Sequence, residues 1–521
     1  HPSDIARAEP TLDDPGRRTH TERELQEFLK PQPAKPIAAV LRSFETRDGF
    51  QMQLVAREPL VNDPIAAAFD ENGDLYVCEM RDYPYKPRAN QQPLGTVRLL
   101  RDTDGDGVFD VSHVFADQLL WPGGVAPWKG GVFVAAPPDI WYLRDTDGDH
   151  RADVRRKVYT GFGTDNQQAM VNNLKWGLDH RIYGSTAGNG GRIRSVDVAA
   201  GGGQQPISVN GRDFRFDPVG GRFEAITGTV QFGNTFDDWG NRFMCSESRP
   251  LQNAVLPQHY LERNPYLPVP SAIHNLTPRA VPIFRISPLE RWRMIRSSRR
   301  IASGQRSPDA SGASHHVIDA AAGVTIYRGG AYPARYYGNV FLGGAQNNLI
   351  HRRVLVPSGV TFDSQRADQG TEFVRSSDNW FRPVNFVNAP DGTLYVLDMS
   401  REVLETIHVP LDVTKFLDFT RGRQHGRIYR LAPPDFRYPG PPRLGAADAA
   451  ALVAALDSPH GWWRDTAHRL IYERQDLEAV EPLRHVLTDG RRPVARLYAL
   501  YALDGLAQLT DSDLLTALKS G

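Results

Sequence analysis

RPVNFVNAPDGTLYVLDMSR, residues 382–401, decides how this chain folds. Apolar β-branched and aromatic residues alternate on both sides of a Pro390-Asp391-Gly392 turn, and the second run stops at a polar cluster. That pattern reads as a two-stranded hairpin. Working outward, five more passages repeat it, at 64–80, 121–138, 172–189, 228–249 and 323–348, with turns such as Glu71-Asn72-Gly73 and Lys129-Gly130-Gly131. Recurrence every 40 to 90 residues or so, with strand rather than helical spacing, predicts propeller blades separated by insertions. The expected fold is mainly β, a six-bladed β-propeller.

The flanks differ. Residues 1–45 are polar with one helical stretch at 21–29 and read as an N-terminal arm; the propeller is expected over 46–431. PPDFRYPGPPRLG lies in a stiff Pro-rich linker, 432–445. Beyond it apolar residues recur at three- and four-residue spacing over 446–456, 462–473, 477–487 and 493–506, predicting HEAT-like helical repeats across 446–521. The run stops at Ser520-Gly521 without a polar capping helix, so the natural chain is expected to continue. His1-Pro2-Ser3 reads as a processed start, which implies a removed signal peptide and a periplasmic or secreted protein.

Composition narrows the function. Formal net charge is zero, which gives no field for nucleic acid. No apolar run is long enough for a transmembrane segment. The two cysteines, Cys78 and Cys245, each close a second blade strand and read as separate buried thiols rather than a pair. Without a CxxCH sequence the chain holds no covalent c-type haem.

In a propeller the loops entering the first strand and leaving the second share one face, so the polar clusters there are expected to converge. Arg81, Lys175, Arg249, Arg382 and Arg401 would bring cations to one cavity, opposed by Glu79, Asp82, Glu247 and Asp398. Carboxylates among fixed cations suit general acid and base work; the same residues also suit inter-blade salt bridges. Asn172, Asn173 and Asn347, with Gln346 and Asn348, near Trp176, Trp380 and Tyr83, resemble a carbohydrate lining of amides and aromatic faces. His315-His316, in a Gly/Ser/Ala-rich loop, is a further candidate base or metal ligand, or an ordinary surface pair. Asp237-Asp238 reads as a hairpin turn.

Two acidic loops carry a metal signal. Asp102, Asp104, Asp106 and Asp110, and again Asp145, Asp147, Asp149 and Asp153, stand at positions 1, 3, 5 and 9, a spacing that supplies oxygen ligands to calcium. The position-12 Glu of an EF-hand is absent, since His113 and Arg156 stand there. Both loops follow a third strand, so a calcium bound there would be structural and on the face opposite the polar clusters; a solvated acidic turn without metal is the alternative reading.

DPIAAAFDENGDLYVCEMRDYP, the paired DTDGD loops, NNLKWGLDHRIYGS, QFGNTFDDWGNRF, DNWFRPVNFVNAPDGTLYVLDMSR and GRIYRL together resemble the PVC-type membrane-bound dehydrogenase family. That family is similar to soluble quinoprotein glucose and sorbosone dehydrogenases, with HEAT repeats and often a haem domain. The resemblance implies oxidation of a sugar or sugar-derived alcohol, pyrroloquinoline quinone as cofactor, and electrons passing to a separate acceptor such as a cytochrome c. On this reading Arg81, Lys175, Arg249, Arg382 and Arg401 hold the anionic cofactor or substrate, Glu79 or Asp398 takes the hydroxyl proton, and Asn172, Asn173 and Asn347 orient the sugar. A lyase or hydrolase using the same carboxylates with arginine or His315, and a glycan-binding module, are the alternatives.

Overall fold

The computed structural model describes residues 12, 19–196, 205–247, 249–264, 266, 268–269, 271–279, 281–304, 317–318, 320–404 and 407–519. Six antiparallel sheets form its centre, one for each repeated hairpin. Their inner strands are Pro64–Phe69, Gly124–Trp128, Asn172–Trp176, Asn234–Phe236, Ala321–Ile326 and Pro383–Asn388. Each inner strand packs on the next, and the sixth packs on the first, so the ring is closed. This is a six-bladed propeller.

Closure is made by the N-terminal segment. Gln51–Arg57 pairs antiparallel with Arg427–Ala432, from Gln51 opposite Ala432 to Arg57 opposite Arg427, and supplies the outer strand of blade six. Joining the two ends of the propeller in one sheet leaves no open ring. Phe44–Thr46 likewise adds to blade five through Val374–Ser376. Blade two borrows Gly191–Ser195 and Ile207–Ser208, which lie in sequence inside blade three. Before them, Glu22–Phe28 forms the expected arm helix, started by a capping box between Thr21 and Glu24.

Residues after the linker form helices Ala449–Ala455, Gly461–Arg474, Val480–Asp489, Pro493–Gly505 and Asp511–Lys519, which share one apolar core. They cover one face of the propeller. Gly461 N donates to Arg328 O at 2.7 Å, Trp463 Nε1 to Pro390 O at 2.9 Å, and Arg469 pairs with Glu71 at 2.8 Å. Cys78 and Cys245 are separate, buried thiols.

Inner strands meet so closely that some positions admit no side chain. At Gly323, φ is +61°, and a Cβ would lie 2.4 Å from the Asn385 Cα and 2.7 Å from the Val384 carbonyl oxygen. Backbone cannot step aside as a side chain can. Gly323→Ala is therefore expected to cost on the order of 4 kcal/mol or more in denaturant unfolding. Gly211→Ala, with similar φ but open space around it, should cost only about 1 to 2 kcal/mol. Equal losses at the two positions would show that close packing of the ring is not what Gly323 serves.

Candidate functional site

The propeller axis is not an open channel. Asn385 Nδ2 of blade six donates to Ile65 O of blade one and to Asn173 Oδ1 of blade three, both at 3.0 Å. Asn173 Nδ2 donates to Asn172 Oδ1 at 2.7 Å, and Asn172 Nδ2 to the carbonyls of Met170 and Gln231, each at 2.8 Å. Asn234 of blade four donates to Asn173 O at 3.3 Å. These amides plug the axis and leave a cavity on either side.

The cavities follow the strand register. Ile65, Asn172 and Val384 line the upper one, while Ala67, Leu174 and Phe386, two residues further along the same strands, line the lower. The upper cavity has a volume of about 310 Å³. Met170, Phe232 and Met399 make much of its apolar wall, and polar groups arrive from outside the blades. Arg296 and Arg300 come from the helix Arg291–Ala302, and His408 from the insertion after blade six's second strand. Glu247, exposed, and Gln167, Gln168 and Gln346 complete the polar part. Tyr83 is held at the edge, donating to Leu404 O at 2.6 Å and accepting from Gln168 Nε2 at 3.1 Å.

Of the site residues expected from sequence, the upper cavity includes Asn172, Glu247, Gln346 and Tyr83. The other carboxylates and cations go elsewhere, for identifiable reasons. Asp398 is fully buried, its Oδ1 accepting from the backbone N–H groups of Arg382 (2.7 Å) and Ser400 (2.8 Å). Glu79, also fully buried, accepts from Asn62 N at 2.7 Å, from the Thr96 hydroxyl, and from Arg98 Nε at 3.3 Å. Each carboxylate ties a strand end together. Arg401 grips Asp63 through Nε (2.6 Å) and Nη2 and donates Nη1 to Phe419 O at 2.9 Å. Arg81 and Arg249 line neither cavity, and Asn347 is buried outside both. His315 and His316 lie outside the described residues.

Arg382 positions the roof. Its guanidinium donates to the carbonyls of Arg401, Ala345 and Glu402 and, at 2.7 Å, to Glu290. Glu290 is the N-cap residue of the helix that carries Arg296 and Arg300, and Arg293 of that helix binds its other oxygen at 2.8 Å. Burial works against the Glu290 carboxylate, yet Arg382 and Arg293 hold its pKa down to about 2. The roof helix is thus anchored to blade six through an ion pair.

Lys175 belongs to the other face. Asn172–Trp176 spans the whole inner strand of blade three, roughly 16 Å at the rise of an extended chain, so its two ends cannot line one mouth. Lys175 lines the lower cavity, of about 170 Å³, against the C-terminal helices. Asp238, read as a turn residue, also reaches them: it accepts from Arg328 at 2.6 Å and from Arg464, while Asp237 makes the hairpin turn.

Both acidic loops join third to fourth strands, at 101–111 and 144–154, as expected. Oxygens of Asp102, Asp104 and Asp106 lie within 4.8 Å of one another, as do those of Asp145, Asp147 and Asp149. Asp110 and Asp153 instead accept from the backbone and hydroxyl of Thr103 and Thr146, which closes each loop. Three converging carboxylates per loop are a donor set that fits a hard cation.

Fold and site define the class: a six-bladed propeller plugged on its axis, roofed by a basic helix at one mouth and covered by helices at the other. Residues 36–435 match the model of a family described as a domain of unknown function, DUF7133, and the chain belongs to that family. No curated protein matches it. Among solved structures it is similar to an oxidoreductase of Thermus thermophilus described as a glucose dehydrogenase, at 16% identity over 74% of this chain and 100% of that one, with a TM-score of 0.42. The PQQ domain of Coprinopsis cinerea pyranose dehydrogenase is similar at 13% over 77% and 98%, TM-score 0.40. The soluble aldose sugar dehydrogenase of Escherichia coli is similar at 13% over 74% and 99%, TM-score 0.39.

Burial pushes the Asp398 carboxyl up to about 6, against the pull of Arg427. A carboxyl whose folded pKa exceeds its unfolded value near 3.9 binds its proton more tightly in the native state. Its contribution therefore falls as pH rises from about 4 to about 6. Asp398→Asn keeps an oxygen for both backbone donors and does not titrate. Relative to the native chain, the variant is expected to gain on the order of 2 to 3 kcal/mol between pH 4 and pH 7. Parallel stability curves across that range would refute the assignment.

Proposed function

We propose that the upper cavity is the active site of an oxidoreductase acting on a hydroxyl of a sugar or sugar-derived alcohol. The observation that carries this reading is the set of Arg296, Arg300, His408 and Glu247 over a floor of Met170, Phe232 and Met399. An anionic quinone such as pyrroloquinoline quinone fits two guanidinium groups above an apolar wall. Arg296 and Arg300 would hold it; when bound, it would supply the two-electron oxidant for the alcohol. His408 or Glu247 would take the hydroxyl proton, and Gln167, Gln168 and Gln346 would orient the sugar. The resemblance of the repeated motifs to PVC-type dehydrogenases supports this chemistry, as does the absence of a second carboxylate beside Glu247 among the described residues of the lining. Glycoside hydrolysis ordinarily needs two. Electrons would pass to a separate acceptor such as a cytochrome c, outside the cytoplasm.

A polysaccharide lyase is the second reading, favoured by the same cavity. Arginine beside His408 and Tyr83 suits a uronate, whose carboxylate needs neutralising before a base removes the adjacent proton.

Purified protein loaded with pyrroloquinoline quinone should reduce an artificial acceptor dye when given sugars. Arg300→Met is expected to lower kcat/KM about 10- to 100-fold with the fold intact by circular dichroism. Dye reduction unchanged in Arg300→Met would remove the cavity from the reaction. An unsaturated uronide product without dye reduction would establish the lyase.

We also propose that both acidic loops bind calcium structurally, through Asp102, Asp104 and Asp106 and through Asp145, Asp147 and Asp149. Chelation is expected to lower Tm, by several degrees for ligand stabilisation of a few kcal/mol. Asp104→Asn combined with Asp147→Asn should abolish that shift. A Tm indifferent to chelator and to calcium would refute both sites.

A further inference from the structure

The lower cavity holds a cation that the fold does not use. Lys175 Nζ, at the end of blade three's inner strand, has no hydrogen bond or ion pair among the described residues, although its neighbours are fully engaged. Arg328 binds Asp238, Asp465 and the Tyr498 hydroxyl, and Arg469 binds Glu71 and Glu473. Asp465 attracts Lys175 from a distance but spends its oxygens on Arg328 and Tyr498. An ammonium held in such a place without a partner is costly unless something else supplies the anion.

His468, which lines the same space, carries a second unpartnered donor. Trp176 Nε1–H donates to His468 Nδ1 at 3.1 Å, which leaves the proton of this buried, neutral imidazole on Nε2. That Nε2 has no acceptor among the described residues. His468 lies on the helix Gly461–Arg474 and Lys175 on the propeller, so the two donors come from opposite sides of the contact between them. The remaining wall is largely apolar, with Phe69, Val125, Leu174, Phe236 and Phe386.

We propose that this cavity binds a small carboxylate with an apolar body, of about the size of benzoate. Its carboxylate would meet Lys175 beside the enclosed His468 imidazole, and its body would lie on the ring of inner strands. The volume suits it: about 170 Å³ here, where an apolar cavity of roughly 150 Å³ takes a benzene molecule. The site is separate from the upper cavity, from which the amide plug divides it, and does not depend on the chemistry proposed there. Such a ligand would bridge propeller and helical cover.

The test uses the full chain and 4-fluorobenzoate, followed by fluorine NMR. Saturable line broadening is expected, with 4-fluorobenzyl alcohol, the uncharged analogue, binding much more weakly. Lys175→Met should weaken 4-fluorobenzoate about 10- to 100-fold while keeping the native circular dichroism, since Lys175 makes no contact that the fold needs. Lys175→Arg, which restores a cation, should recover part of the affinity. No saturable binding, equal binding of acid and alcohol, or affinity retained in Lys175→Met would each overturn the proposal. So would loss in Arg300→Met with retention in Lys175→Met, which would move the ligand to the upper cavity. Binding of inorganic phosphate without 4-fluorobenzoate would overturn the carboxylate assignment.

Discussion

Six inner strands meet at one axis, and every polar group they bring there must be satisfied by another strand, because water is largely shut out. Asn385 and Asn173 meet that constraint together. One amide from blade six reaches a carbonyl in blade one and an amide in blade three, so three blades are fixed relative to each other by a single side chain. Leaving one such buried group unpaired costs about 1 to 3 kcal/mol. The glycines that let the strands approach, Gly323 above all, belong to the same solution: without close approach the amides would not span the axis. The two cavities then lie above and below the plug.

The same constraint explains which parts of the sequence were legible. Strand repeats report burial on both faces of a blade, and burial is local, so the six hairpins, their order and the helical tail could be read from spacing alone. The closing strand 51–57 carries no partner in its neighbourhood; its pairing with 427–432 is set by topology, which spacing does not encode. Positions at the ends of second strands also misled in a definite way. Glu79, Asp398 and Arg401 look like site residues because they are charged and clustered, yet a strand end inside a propeller has unpaired backbone N–H groups and carbonyls of its own. Asp398 serves Arg382 N and Ser400 N, and Arg401 serves the Phe419 carbonyl. At these blade ends the charged groups were consumed by the scaffold, whereas Glu247 and Gln346, at the ends of other blades, reach the upper cavity.

The residues that line the upper cavity came largely from segments between blades. WRMIRSSRRIA, 292–302, has basic residues on a helical period, and that period was the available signal for Arg296 and Arg300. Periodicity in β-strands gave it no place, because an insertion's position over a mouth depends on what anchors it. Here the anchor is an ion pair, Arg382 to Glu290, between a blade and the helix's first turn. Asn172, at the register boundary between plug and cavity, reached the lining as expected, together with Glu247, Gln346 and Tyr83.

Buried ion pairs are poor sources of stability, since desolvation offsets much of their attraction, but removing one partner leaves an uncompensated buried charge, at a large cost. Two such contacts set the geometry at opposite ends of the axis. Arg382–Glu290 fixes the basic helix over the upper mouth, and Arg328 with Asp238 and Asp465 fixes the helical cover on the lower one. In both, arginine brings several donors to partners on different elements, which one lysine could not satisfy. A propeller offers the same strand geometry at each of its six blades and so does not by itself decide where an insertion or an added domain will sit. These asymmetric charges act there together with apolar contacts, Trp292 and Ile295 with Leu25, Phe28 and Phe419 at the roof and Trp462 against the propeller core at the cover. One mouth so carries a cationic roof while the other presents Lys175 to the helices.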